Sequence, residues 1–270
     1  MKHLRRVLIA MALTITGLAT AQNKQVKDST NAEKLDEVLV KAVRVDAKSP
    51  ITHSNLSKEE IAKRNLGQDI PMLLNFLPSV VTTSDAGAGI GYTGIRVRGV
   101  SSQSTNVTIN GIPYTDAESL GTFWVNLGDF SSSVENLQLQ RGVGTSTNGS
   151  GAFGASINIL TDAVSREASG EVSNSFGSFN SRKHTVKFST GLMGADAERS
   201  RGIEIAGRLS NIESDGYVDR ASSSLKSYFL QGSYVDDNTL IKAVTFGGNN
   251  VTYQSWFGID ATMLRENRTF

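Results

Sequence analysis

Beyond residue 162 apolar and polar side chains alternate along the chain, in runs of about ten residues separated by polar or glycine-containing turns. Alternation with a period of two predicts strands whose two faces differ in polarity. Five strands are predicted, at Glu171–Gly177, Arg182–Gly194, Gly202–Ile212, Leu225–Tyr234 and Thr239–Gly247. The last part of the chain is therefore expected to form an antiparallel sheet.

The second of these runs shows the alternation clearly. Val186, Phe188 and Leu192 fall on one face, whereas Lys187 and Ser189 fall on the other. Such strands suit a wall between lipid and a water-filled lumen, although a soluble sandwich alternates in the same way. The pattern alone leaves both interpretations open.

Helical signals precede these strands. Ser57 and Glu60 have the spacing of a capping box, so a short helix is expected through Arg64. A second helix is predicted over Gln68–Leu77, because Pro78 prevents continuation. Its apolar residues recur at helical spacing and form a packing face of Ile70, Leu73, Leu74 and Leu77.

Strand-like runs follow these helices. Ile95–Val100 and Asn106–Ile109 are β-prone, and Asn110-Gly111 before Ile112-Pro113 predicts a tight hairpin turn. Two further runs, Val134–Gln140 and Ala155–Thr161, are joined by a connector with glycines at 142, 144, 149, 151 and 154. The region thus predicts a small α+β domain.

The glycine-rich connector does not have the spacing of a catalytic or phosphate-binding loop. Ala155-Ser156 follows Gly154, where a phosphate-binding loop needs Lys followed by Ser or Thr. The segment from Gly144 to Gly149 is one residue too long for a nucleophile elbow. Both patterns therefore disfavour an enzyme.

The N-terminus has the features of a secretory signal peptide. Lys2, Arg5 and Arg6 precede the apolar run from Val7 to Ala19, and Ala19-Thr20-Ala21 offers a cleavage site before Gln22. Cleavage removes three of the 27 basic residues and none of the 26 acidic ones, so the remainder is slightly acidic and gives no support to nucleic-acid binding. The chain has no cysteine and three scattered histidines, so neither a metal site nor a cofactor is expected.

Three motifs occur together in the order of a known family. Ile95-Arg96-Val97-Arg98-Gly99 precedes a strand ending Asn110-Gly111-Ile112-Pro113, and the glycine-rich segment ends Gly151-Ala152-Phe153-Gly154 before Ile157-Asn158-Ile159. Upstream, a β-prone run at 35–42 follows a polar stretch. The chain resembles TonB-dependent outer-membrane receptors, from which it departs at Gln138, Val143, Ala155 and Asn110, where the family commonly has Glu, Pro, Gly and Asp.

The resemblance implies a domain organisation. It implies a signal peptide at 1–21, a flexible tether with a TonB box at 22–45, an α+β plug domain at 46–162, and the first strands of an antiparallel transmembrane β-barrel at 163–270. The full barrel of such a plugged transporter has about 22 strands. Five strands cannot close, so the sequence is expected to be a truncated receptor.

The resemblance also assigns candidate sites. The TonB box is expected at Asp36, Glu37, Val38, Leu39 and Val40. The plug motif residues are Arg96, Arg98, Gly99, Asn110, Gly111, Arg141, Gly142, Gly151 and Gly154, and its arginines are expected to face acidic residues of the barrel wall. The candidate ligand-loop residues are the aromatics Tyr92, Tyr114, Phe123 and Trp124, each of which could instead pack the domain.

The function implied is active uptake of a scarce nutrient, a ferric siderophore or similar iron complex. The implied partners are TonB with the ExbB–ExbD complex, outer-membrane lipid, and a metal chelate or other small nutrient. The alternative is a secreted or surface β-rich adhesin or carbohydrate-binding protein, which would need neither a tethered box nor a lumen.

Overall fold

The structure, a computed structural model, describes residues 44–45, 49–143, 152–194, 201–253 and 258–267. The predicted signal peptide, the predicted TonB box and Gly151 lie outside the described residues. No helix in the described part of the chain is long and apolar enough to span a membrane.

The first part of the chain folds around a five-stranded mixed sheet. In spatial order its strands are β1 (His53–Ser57), β6 (Val134–Arg141), β7 (Ala155–Thr161), β4 (Thr105–Ile109) and β5 (Ile112–Pro113). Strands β4 and β7 run parallel, and the other neighbours run antiparallel. A separate pair joins β2 (Val80–Ser84) to β3 (Thr93–Val97). The residues of β7 are all buried, as suits a central strand that is covered on both faces.

The two predicted helices are present, and one is shorter than expected. Helix α1 spans Lys58–Arg64 and begins with the predicted capping box, in which the Ser57 backbone N–H donates to Glu60 Oε2 at 2.9 Å. Helix α2 spans only Ile70–Leu73. The Leu77 N–H bonds the carbonyl three residues back rather than four, so the chain leaves the α-helix early. The predicted packing face is nevertheless buried throughout.

One core joins the helices to the first sheet. Ile70 and Leu74 pack with the central strands, and so do residues of two 3₁₀ helices, Trp124–Leu127 and Phe130–Ser133. Phe229, which belongs to the second sheet, is part of the same cluster. The two sheets therefore share a hydrophobic contact.

Residues 44 and 45, which precede β1, lie against the inner strands β6 and β7 of the first sheet. The backbone N–H of Val45 donates to Gln138 Oε1 at 3.0 Å, and Gln138 Nε2 donates to the Val45 carbonyl at 2.9 Å. Gln138 lies on β6, next to the edge strand β1. A side chain of the sheet therefore holds the backbone that precedes β1.

The second sheet contains five antiparallel strands in sequential order. They are β8 (Ser169–Phe176), β9 (Arg182–Ser189), β10 (Gly202–Ser214), β11 (Ser223–Asp236) and β12 (Thr239–Thr252), and helix α3 (Ala261–Glu266) follows. The predicted strands are confirmed, but β11 and β12 extend several residues further than expected. Leu192 was placed wrongly, because β9 ends at Ser189 and Leu192 is buried beside Val235.

The two faces of this sheet differ as the alternation predicts. Val186, Phe188 and Leu209 share the outer face and are exposed. Glu204 and Arg208 point to the inner face and are buried. The inner face lies against the first domain, and the outer face carries many exposed apolar side chains beside some polar ones such as Asn174 and His184.

Candidate functional site

Asp129 is the buried centre of the contact between the two sheets. It stands between the two 3₁₀ helices with a φ of 51°, and its side chain is 0% exposed. Lys183 Nζ on β9 lies 2.7 Å from Asp129 Oδ1, and Ser132 Oγ donates to the same oxygen at 2.6 Å. Thr185 and Ser210 donate their hydroxyls to Oδ2 from the inner face of the second sheet. This carboxylate therefore joins the domain to the strand wall.

Arg208 supplies a second cation to the same place. Its guanidinium donates to the backbone carbonyls of Asp129 and Gly128, the latter at 3.3 Å, and to the hydroxyls of Ser133 at 3.3 Å and Ser227 at 3.4 Å. Its Nε lies 3.9 Å from Asp129 Oδ2. The Asp129 cluster is defined here as Asp129, Lys183 and Arg208.

The charges determine the ionisation of this carboxyl group. Burial disfavours the charged form of Asp129, but the nearby positive charges of Lys183 and Arg208 outweigh it and hold its pKa below the usual value. The carboxylate is therefore ionised at neutral pH. Removal of one partner from such a pair leaves a buried charge uncompensated, which is strongly destabilising.

A second ionic cluster lies where the first domain continues into the second sheet. Asp162 directly follows β7 and lies 2.8 Å from Lys58 Nζ of α1 and 3.2 Å from Lys187 Nζ of β9. Burial opposes ionisation of Asp162, but Lys187 and Lys58 hold its pKa below the usual value. Gln231 Nε2 of β11 donates to the backbone carbonyl of Asp162 at 3.0 Å. The junction cluster, Asp162, Lys58 and Lys187, thus connects both parts of the chain.

The motif arginines have other contacts. Arg141 donates to Ser54 Oγ at 2.9 Å, and Arg96 and Arg98 are exposed. Among the described residues none of the three forms an ion pair with an acidic side chain. In the ion pairs that join the first domain to the second sheet, the acidic residue lies on the first domain and the lysine lies on the second sheet.

The motif asparagine is part of the same interface. Asn110 and Gly111 have φ values of 51° and 82°, which confirms the predicted tight turn between β4 and β5. The Thr161 backbone N–H donates to Asn110 Oδ1 at 3.0 Å, and Thr161 Oγ1 donates to Gln231 Oε1 at 2.8 Å. Asn110 therefore orders a residue that contacts β11.

The glycines of the connector allow close backbone approach at one position. The Gly154 N–H donates to the Ser104 carbonyl at 2.9 Å, and a Cβ on Gly154 would lie 2.9 Å from that oxygen. Gly142 and Gly99 have positive φ values. At these three positions the backbone geometry favours glycine.

A cavity of about 540 Å³ lies between the first domain and the last two strands. Of the four candidate ligand-loop aromatics, Tyr92 and Tyr114 line it. Phe123 is exposed and does not line this cavity, and Trp124 is buried in the core. Only two of the four residues are therefore positioned at this cavity.

The sequence interpretation missed Asp129 and its partners. Asp129 lies in an irregular segment without periodicity, so nothing marked it out. A signal did exist on the other side, because Lys183 and Arg208 occupy inward positions of strands whose outward positions include Val186, Phe188, Ile203, Ile205 and Leu209. Inward cations indicate that an acidic partner faces them.

The comparison with protein families agrees with this architecture. Residues 45–156 match the TonB-dependent Receptor Plug Domain. These residues form a TonB-dependent receptor plug. The strands that follow the plug share the fold of the first barrel strands in the solved structures described below.

Curated relatives are receptors and transporters. The chain is 26% identical over 200 residues to the Ferrienterobactin receptor of Escherichia coli K12, which covers 70% of this chain and 26% of the relative. It is 28% identical over 185 residues to the Vitamin B12 transporter BtuB of Vibrio cholerae, which covers 66% of this chain and 28% of that one. The chain therefore spans about a quarter of the length of these relatives.

Solved structures show the same plug and strands. The siderophore receptor PirA of Acinetobacter baumannii matches with a TM-score of 0.54 at 19% identity, over 74% of this chain and 32% of that one. The unliganded ferric citrate transporter FecA matches with a TM-score of 0.59 at 16% identity, over 85% of this chain and 34% of that one. At these identities the likeness establishes the fold.

Proposed function

We propose that this chain is part of an outer-membrane receptor that takes up a ferric siderophore or similar iron complex. The observation that carries the proposal is the plug domain held against the polar face of the barrel strands by the Asp129 cluster. The names of several relatives, among them the ferric enterobactin receptor of Pseudomonas aeruginosa, support an iron complex as cargo. A plug that closes the lumen and a wall that lines it suit a gated transporter, and no catalytic role is proposed.

The proposal includes export and energy coupling. The signal peptide at 1–21 delivers the chain to the outer membrane, where the apolar outer face of β8–β12 contacts lipid. Residues 36–40 bind TonB, which works with ExbB–ExbD, by adding a strand to its sheet. The Val45–Gln138 hydrogen bonds support this assignment, because Val45, the last residue of the proposed tether, is bonded to a side chain of the plug sheet.

The experiment compares two substitutions in the proposed box of the full-length receptor. Val38→Pro removes a backbone donor and fixes φ, so it should abolish uptake of a labelled ferric siderophore but leave surface binding intact. Val38→Thr keeps β-propensity and should change little. Uptake and binding are measured in cells with and without TonB. Normal uptake by the Val38→Pro receptor would show that the box is elsewhere, and loss of binding would show that the segment is a folded part of the plug.

A second candidate cargo is vitamin B12, because the Vibrio cholerae relative carries that name. Labelled cyanocobalamin in the same uptake assay separates the two cargoes. Uptake of cobalamin without uptake of any iron complex would overturn the iron proposal and leave TonB-dependent transport in place.

A further inference from the structure

A row of polar side chains crosses the outer face of the second sheet from β8 to β12. Strand register places one member on each strand, directly beside the member on the next strand. Four members are exposed, the one on β10 is half-buried, and none of them is acidic. The polar row is defined here as Asn174, His184, Asn211, Lys226 and Asn249. It interrupts a face on which many exposed side chains are apolar.

An apolar band separates the polar row from one end of the sheet. Its exposed side chains occupy outward positions on neighbouring strands and include Val172, Val186, Leu209, Ile205, Ile203 and Leu230. Charged residues return at the end of the band, where Arg201 Nη2 lies 2.7 Å from Asp236 Oδ1. Polar groups thus bound the band on both sides.

The height of the band matches the hydrocarbon layer that an outer-membrane barrel crosses. Lys226 and Asp236 occupy outward positions ten residues apart on β11. At about 3.4 Å per residue they are about 34 Å apart along the strand. A strand tilt of about 40° reduces that separation to about 26 Å along the membrane normal, and the apolar band of such barrels is about 25 Å tall. The polar row therefore lies at the depth of lipid headgroups.

The lengths of the connections indicate which leaflet the row faces. Outer-membrane barrels have short periplasmic turns and longer extracellular loops. Two residues, 237–238, join β11 to β12 beside Asp236, whereas eight residues, 215–222, join β10 to β11 at the other end. Lys226 lies near this longer connection, so the polar row faces the outer leaflet.

Part of the row is already paired. On β8 and β9, Asn174 Oδ1 and His184 Nδ1 lie 2.6 Å apart. Arg182, which lies next to the row on β9, donates through Nε to Glu213 Oε2 of β10 at 2.7 Å. These four side chains form two closed pairs, so the charge of Glu213 is balanced by Arg182.

The row is open between β11 and β12. Lys226 is exposed, and it makes no ion pair with an acidic side chain in the part of the chain that the structure describes. Asn249 stands directly opposite Lys226 on β12 and is also exposed. An ammonium group beside an amide N–H offers a counter-ion and a hydrogen-bond donor to a phosphate oxygen. The charge of this pair is therefore complementary to an anionic headgroup.

We propose that Lys226 and Asn249 bind a phosphate group on the headgroup of an outer-leaflet lipid. Lys226 supplies the counter-ion, the Asn249 amide donates a hydrogen bond, and the acyl chains of the lipid lie along the apolar band. The proposal rests on the outer-membrane placement proposed above, and it adds the class of lipid and the residues that select it.

The experiment measures lipid binding to the full-length receptor in detergent by native mass spectrometry. The probes are bisphosphorylated lipid A and the same lipid after removal of both phosphates. One lysine near an anionic headgroup contributes about fivefold in affinity, so the phosphorylated lipid should bind at least about fivefold more tightly. Lys226→Gln keeps most of the side-chain length without the charge and should abolish this preference, whereas Lys226→Arg should retain it.

Three further measurements make the test specific. Lys63→Gln removes an exposed lysine of α1 on the plug and should leave lipid binding unchanged. Asn249→Ala should weaken binding of the phosphorylated lipid and leave binding of the dephosphorylated lipid unchanged. Added inorganic phosphate should not displace the lipid, because buried acyl chains contribute to its affinity.

The outcomes separate this inference from the function on which it rests. Equal affinity for the two lipids, or an unchanged preference in Lys226→Gln, would overturn the headgroup site and leave the membrane placement standing. Displacement of the lipid by inorganic phosphate would show a site for free anions and would also overturn the lipid assignment. A receptor that is soluble without detergent and binds neither lipid would overturn the outer-membrane placement, and with it the proposed function.

Discussion

Asp129→Ala should loosen the plug from the barrel wall without unfolding the barrel. The substitution leaves Lys183 and Arg208, with side chains 3% and 1% exposed, without a compensating charge. It also removes the acceptor for the hydroxyls of Ser132 and Thr185. Both losses weaken the contact between the plug and the second sheet, because these groups all contact the Asp129 carboxylate.

The expected cost follows from burial. Loss of one partner of a fully buried ion pair costs about 3–5 kcal/mol. A free energy of about 1.4 kcal/mol corresponds to tenfold in an equilibrium constant, so local opening of the plug near Asp129 should become at least a hundredfold more frequent. Exchange of backbone amide hydrogens reports such openings directly.

Hydrogen-exchange mass spectrometry of the full-length receptor in detergent is the assay. Peptides that cover residues 124–137 should exchange about a hundredfold or more faster in Asp129→Ala, whereas peptides from β10 and β11 should change little. Glu135→Gln is the matched control, because its pair with Lys58 at 3.0 Å is more than a third exposed and contributes little.

Removing a buried cation together with Asp129 should repair much of this defect. Asp129→Leu combined with Lys183→Met should recover much of the lost protection, because one buried cation disappears with the buried anion. An Asp129→Ala receptor whose plug exchanges at the wild-type rate would refute the reasoning and show that the cluster contributes no net free energy to docking.

Other predictions concern the backbone, pH and processing. Burial raises the pKa of Asp69 to about 8, so the folded plug retains a proton that the unfolded chain loses near pH 4, and the free energy of unfolding should fall as pH rises from about 4 to about 8. Asp69→Asn should flatten that part of the pH profile in chemical denaturation, and an unchanged slope would count against it. Gly154→Ala should destabilise the plug by about 1–3 kcal/mol through the contact with a backbone carbonyl, while Gly170→Ala on β8, which has open space, should not; equal melting temperatures would contradict this. Gly111→Val should destabilise the plug by about 1–2 kcal/mol because its φ is 82°, as the same melting experiment can test. Mass spectrometry of the exported protein should find Gln22 at the N-terminus, and a chain starting at Met1 in the membrane fraction would rule out cleavage.

Local patterns predicted most of the elements correctly. The capping box of α1, the Asn110-Gly111 turn and the alternation of β9 to β12 all depend on neighbours in sequence, and the structure has them as expected. Helix α2 ended early because the pattern of apolar residues gives a buried face without giving the hydrogen-bond register of the backbone. Burial was predictable there, and helix length was not.

The acidic side of the interface was not predictable because it depends on residues far apart in sequence. Asp129 meets Lys183 and Arg208 only after two sheets have folded and docked, and a lone aspartate in an irregular segment gives no periodic signal. The resemblance directed attention to the plug arginines, which among the described residues pair with no acid. The inward cations of β9 and β10 could have been used to predict an acidic partner on the first domain.

The position of the entering chain has a mechanical consequence. A pull on the residues before Val45 first loads the Arg44 hydrogen bonds to Asn136 and Asn158 and the two Val45 bonds to Gln138, and then β1, an edge strand with a single neighbour. Along the chain the force next reaches α1, α2 and the β2–β3 pair, and it loads β4 and β7 in the centre of the sheet only after these have yielded. Force applied at this end should therefore peel the plug in steps from its edge, so that a path through it could open at a load too small to extract the whole domain.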